Sequence, residues 1–239
     1  MAAAAACGLA LVSAGPSAAQ RPKLGDIFRG GPSQPVNPLV GRYGVERGPA
    51  FVLDRSNTAT PLLKYDNSDE IWVLQSRPAG RGDMVFVNDT GDIVLRATRL
   101  GGLIVFTEER PQGVPASLRG AASPLPTDIA MTPSGFVRRL RDAGERISDL
   151  APSFKKISFT SDDAAAPLLA EAAVLTAQAV QNAVRRKRSS TVNGLERLVL
   201  RDGPAPGVSL DRGVLTVTVT PGLGVAGRPS SERIARALR

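Results

Sequence analysis

The part of this sequence whose residue types and spacing come nearest to chemistry is Asp89-Thr90-Gly91. Aspartic proteases present a catalytic carboxylate in an Asp-Thr-Gly loop, and two such loops converge so that the two acids share one proton. A single copy would have to be completed by a second chain. The flanks point elsewhere. Such a loop wants an apolar residue before the Asp and Ser or Ala after the Gly, and this chain has Asn88 and Asp92 there. The apolar-apolar-Gly segment that should support the loop is matched only faintly, by Leu100-Gly101. A tight hairpin uses Asn, Asp, Thr and Gly for purely conformational reasons. A turn is therefore the expected reading, and Asp89 is the residue to test for a carboxylate-dependent hydrolase, the competing functional class.

Other groupings are weaker. Asp66, Asp69 and Glu70, with Asp83, Asp89 and Asp92 in the next loops, could hold calcium, but their spacing is not that of an EF-hand,. A glycosidase pair among them would lack the usual aromatic lining, and the one Trp, Trp72, sits in an alternating strand where a core position is expected. Arg81-Gly82-Asp83 is read as a turn. Arg185, Arg186, Lys187 and Arg188 form the one dense basic run, a candidate contact for an anionic ligand; a helix C-terminus also favours such residues,. A Ser–Lys dyad needs no histidine, but no Ser-x-x-Lys opens a helix and there is no Gly-x-Ser-x-Gly elbow. Gly222-x-Gly224-x-x-Gly227 has dinucleotide-loop spacing without a βαβ unit after it, and is read as turn chemistry,. No metal and no cofactor is expected.

What is missing constrains the chemistry further. The chain has no histidine, and its one cysteine, Cys7, lies in a small, apolar, uncharged segment at residues 1–19. That segment has signal-peptide length, and Ser17-Ala18-Ala19 supplies the small residues a signal peptidase reads, although no Lys or Arg precedes the apolar run,. It is too short to span a bilayer, and no later stretch is apolar enough to do so. The expectation is an exported protein, periplasmic or secreted, held by its core with no disulfide.

The formal net charge is +8, mostly from arginine. For an exported chain this suggests anionic envelope components, or another envelope protein, as partners. Nucleic acid is not expected, because aromatics are few and do not interleave with the basic residues.

The elements that must position these residues follow from periodicity. Residues 20–40, rich in Pro, Gly and Ser, read as a disordered tether. Residues 41–110 read as a β-rich region: short apolar runs recur about every ten residues between polar turns, the pattern of an antiparallel meander or partial barrel. The clearest hairpin closes through residues 88–91. Residues 111–131 read as a Pro-rich linker. Residues 132–239 read as an α+β region, possible as one compact domain with residues 41–110. Its first helix follows Thr132-Pro133 and buries Phe136, Leu140, Ala143, Ile147 and Leu150. The second carries a narrow stripe of Leu168, Ala172, Leu175, Ala179 and Ala183. Ile157-Ser158-Phe159 between them is a short strand or a loop. Alternation at residues 195–201, 207–210 and 213–220 marks further strands, the last two a hairpin, before a short terminal helix. The fold class is α+β.

The run from Phe51-Val52-Leu53-Asp54-Arg55-Ser56, through Arg81-Gly82-Asp83 and Asn88-Asp89-Thr90-Gly91-Asp92, to Arg99-Leu100-Gly101-Gly102 resembles an uncharacterised exported family of Caulobacter-like alphaproteobacteria, domain of unknown function 4908. The tail, Gly213-Val214-Leu215-Thr216-Val217-Thr218-Val219-Thr220-Pro221 with Gly227-Arg228-Pro229-Ser230-Ser231, is similar to the same family. The resemblance spans nearly all of the chain after the leader and implies export, with no activity, cofactor or site. Together these readings favour a non-enzymatic binding or scaffold role at the cell envelope.

Overall fold

In the computed structural model, residues 38–128, 131–160, 163–186 and 189–239 are described. The expected leader, and the expected tether as far as residue 37, lie outside them.

Nine short strands form one antiparallel sheet: β1 (Val40–Val45), β2 (Phe51–Asp54), β3 (Leu62–Tyr65), β4 (Ile71–Val73), β5 (Gln75–Pro78), β6 (Met84–Val87), β7 (Ile93–Ala97), β8 (Leu103–Thr107) and β9 (Arg110–Ala121). Their order in the sheet is β4-β3-β2-β1-β9-β8-β7-β6-β5. The two outermost strands are consecutive in the chain, separated only by Leu74, whose N–H donates to the Pro61 carbonyl at 2.8 Å. The meander therefore curls into a nearly closed barrel. Alternate residues turn inward, so Tyr43, Phe51, Leu53, Leu63, Leu74, Phe86, Leu95 and Val105 are buried in one apolar cluster. Tyr43 and Phe51 are register partners and stack with centroids 5.5 Å apart, and Phe51 contacts its other partner, Tyr65, at 5.7 Å.

Two segments differ from the sequence reading. Val40, at the end of the expected tether, already belongs to β1. Residues 110–121, mostly in the expected linker, form the longest strand of the barrel, joining β8 to β1. Pro111 and Pro115 disguised it, because proline is normally excluded from a paired strand. Irregular register on both sides, between Val105 and Thr107 and between Arg42 and Tyr43, makes room for it. Gly113 takes φ +80°, and a Cβ there would stand 2.6 Å from Ile104 Cγ2.

After the barrel come α1 (Pro133–Ser148), β10 (Lys156–Thr160), α2 (Ala166–Arg185), α3 (Ser189–Asn193), β11 (Arg197–Asp202), β12 (Gly207–Asp211), β13 (Val214–Val219) and α4 (Ser231–Ala237). The strands form a second sheet in the order β10-β11-β13-β12. β12 and β13 are the antiparallel hairpin, while β10, β11 and β13 run parallel, with α2 as the crossover from β10 to β11. Thr132 caps α1 by accepting from Gly135 N–H at 3.1 Å. α2 is buried on more than the expected stripe: Leu169, Ala173, Ala177 and Val180 are inaccessible too, because its small residues let α1 and α4 approach as well as the sheet,. The described residues fall within one compact unit with two apolar clusters, one in the barrel and one between the helices and the second sheet.

Candidate functional site

The acidic turns of the barrel meet the C-terminal segment. In the β6–β7 turn the Asn88 side chain shapes the loop: its Oδ1 accepts from Thr90 N–H at 3.1 Å and Asp92 N–H at 2.8 Å, and the single Thr90 hydroxyl hydrogen is shared between Asn88 Oδ1 and Asp92 Oδ2, each 2.7 Å from Oγ1. Gly91 follows at φ +84°. The Asp-Thr-Gly run is thus a hairpin turn, as its flanks suggested, but Asp89 does not simply point into water. Its Oδ2 accepts from Ser230 N–H at 2.9 Å and its Oδ1 from Ser230 Oγ–H at 2.5 Å. Glu70, before β4, is engaged by the next residue in the same way: Oε1 accepts from Ser231 N–H at 2.9 Å and Oε2 from Ser231 Oγ–H at 2.5 Å.

Arginines surround this double contact. The Arg228 side chain is almost wholly buried; its Nη2 donates to the Ile71 carbonyl at 3.2 Å, and its Nε lies 3.9 Å from Glu171 Oε2. Arg236 donates from Nη1 to the Thr90 carbonyl at 3.2 Å and from Nη2 to Asp92. Arg186 bridges Glu108 of the β8–β9 turn at 2.5 Å and Glu232 of α4 at 3.2 Å.

The electrostatics follow from this geometry. Burial raises the Glu70 pKa above its ordinary value; the two Ser231 bonds and the Arg228 charge pull it down, and the Asp89 charge pushes it up. Burial also acts to raise Asp92, but hydrogen bonds from Thr90 and Arg236 outweigh it and leave that carboxyl low. Asp83, of the Arg-Gly-Asp run, is lowered by the Arg99 N–H and by Arg96. Two neighbouring carboxylates could in principle work as an acid–base pair, yet all four oxygens of Glu70 and Asp89 already accept from serines. The arrangement is suited to holding the C-terminal segment on the barrel. Among the described residues, no cluster of three or more Asp, Glu, Cys or His side chains is placed to hold a metal ion.

The basic run is split. Arg186 is tied to the two glutamates and Arg185 is exposed, while Lys187 and Arg188 lie outside the described residues. Sequence reasoning missed Ser230, Ser231 and Arg228 as partners of the acidic turns. Ser230 could be read as a helix cap, and its Oγ does accept from Arg233 N–H at 3.1 Å. No local signal links it to a carboxylate 141 positions earlier.

Two surface features belong to the second sheet. Leu198, Leu200, Leu215 and Val217 turn toward the helices and are buried. The alternate residues, including Lys156, Arg197, Arg201, Ser209, Thr216 and Thr218, therefore lie on the face the helices leave uncovered, where Arg201 Nε donates to Thr218 Oγ1 at 3.2 Å. Beside β10, an open cleft of about 560 Å³ is lined by Val137, Leu140, Arg141, Gly144, Phe154 and Ile157, among others.

A nearly closed antiparallel barrel, joined to a helix-covered mixed sheet through serine-capped carboxylates, defines an α+β protein whose most elaborate polar site is a structural joint. No curated protein and no solved structure matches the chain. A family profile described as Domain of unknown function (DUF4908) matches residues 23–238. The chain belongs to that family.

Proposed function

We propose that this protein is exported and acts without catalysis, as a binding or scaffold protein at the cell envelope that engages an anionic component. The observation that carries this reading is the uncovered face of the second sheet, where Lys156, Arg197 and Arg201 stand among serine and threonine hydroxyls. Asp211 is the one carboxylate in that array, and it lies 3.9 Å from Arg212. Hydroxyls and guanidinium groups side by side on one sheet face suit phosphate or carboxylate oxygens, which accept from both. Exposed Arg185 is a second contact point on the same reading. The net charge of +8 adds long-range attraction to such a surface,. A hydrolase at Asp89 is disfavoured because both of its oxygens are engaged by Ser230.

The test is retention of the chain, starting at Gln20, on vesicles containing anionic lipid or lipopolysaccharide. Lys156→Gln/Arg197→Gln/Arg201→Gln should lower retention several-fold, with Arg185→Gln adding a smaller loss, and salt should weaken binding of the wild type. No retention of the wild type, or retention that the triple variant leaves unchanged, would overturn the proposal.

A further inference from the structure

The two edges of the second sheet are treated differently. β12 has α4 beside it and is preceded by Pro204 and Pro206, which cannot donate to a strand ladder,. Among the described residues, β10 has β11 as its only strand neighbour, so its other side offers unpaired backbone donors and acceptors,. Exposed apolar side chains stand on and near this edge, beside a cleft that also carries Arg141, Glu145, Ser148, Asp149, Lys155 and Lys156. Phe159 is 52% exposed although it shares a register row with buried Leu200 and Val217. It meets Phe136 of α1 edge-on at 5.2 Å, and Val137, the next residue of α1, is 55% exposed. The cleft between α1 and the strand has Ile157 in its lining.

We propose that two copies of this chain pair through these edges, β10 against β10, antiparallel about a twofold axis at Ser158. The strand is self-complementary in that register. Lys156 falls opposite Thr160, so no like charges face each other across the pair. Ile157 falls opposite Phe159 of the second copy, which brings each exposed ring onto the other copy's Ile157 and into the cleft beside Leu140 and Gly144. The axis places Ser158 opposite its own copy on the uncovered face. Edge pairing joins the two four-stranded sheets into one eight-stranded sheet and removes the free edge. The pairing stands apart from the proposed envelope binding, and either can fail without the other.

The test uses the full chain with Cys7→Ser, which removes the one natural thiol. Light scattering should give twice the chain's 25.0 kDa, and Phe159→Glu or Val137→Glu, both at exposed positions, should return a monomer. Ser158→Cys should cross-link on mild oxidation, because directly opposed residues of an antiparallel pair have Cα atoms about 4.5–5.5 Å apart, within disulfide reach. Thr160→Cys, on the same face but far from its own copy, should cross-link at least about tenfold more slowly, its Cα separation being beyond bridging distance. A monomeric wild type, or equal cross-linking at the two positions, would overturn the proposal.

Discussion

Ser230 and Ser231 each direct an amide and a hydroxyl hydrogen at one carboxylate, so four donors serve two neighbouring acidic groups. Ser231→Ala should cost about 1–3 kcal/mol in denaturant unfolding, since it leaves a fully buried glutamate oxygen short of a partner. Glu70 also sets a pH dependence whose sign is opposite to that of Asp83 and Asp92. Burial holds its folded-state pKa above the ordinary glutamate value. The stability it contributes is therefore complete below the ordinary value and declines as pH rises through the raised one. Asp92 and Asp83, held low, contribute stability above the ordinary aspartate range that is lost on acidification. Glu70→Gln should therefore gain on the wild type as pH rises from the ordinary glutamate range through the raised value, and urea unfolding at a series of pH values measures this. A difference that stays flat with pH would show that Glu70 does not titrate as its burial demands. At this scale the sequence was least legible. Asn88-Asp89-Thr90-Gly91 could be recognised as a turn from its own residues, but a partner 141 positions away leaves no mark on local composition.

Among the elements, the short apolar runs between polar turns in the barrel and the Thr132-Pro133 cap were readable because their cause is local. β9 was not, since its pairing depends on bulges and a left-handed glycine that only the neighbouring strands make sense of. Gly113→Ala should destabilise the barrel by about 1–3 kcal/mol, from backbone strain at φ +80° and the collision with Ile104,. A thermal shift of less than a degree would mean that the strand relaxes around it. Thr132→Ala should cost about 1 kcal/mol, the usual loss of a side-chain helix cap, measurable by chemical denaturation. Parallel pairing of β10, β11 and β13 was illegible for a related reason. Strand alternation reports burial on one face, not the direction of a neighbour.

For the whole molecule, the decisive feature is that two separate apolar clusters are tied by polar contacts: the serine–carboxylate pairs, Arg228 to the Ile71 carbonyl, Arg236 to Thr90 and Asp92, and Arg186 to Glu108. In scanning calorimetry the wild type should unfold in one transition. Glu70→Ala/Asp89→Ala should separate it into two, one for the barrel and one for the helix-covered sheet. A single transition at lower temperature would mean that the clusters are coupled by more than these ties. α+β order and the barrel-like meander were legible at this scale, whereas the joint was not. The joint also carries information about time. Ser230 and Ser231 follow every strand of both sheets in chain order, so a ribosome delivers them only after the barrel and the second sheet have been made. Until then Glu70 and Asp89 lack the serine donors that engage them in the complete fold. During synthesis the joint can therefore close only after every strand of both sheets has been made.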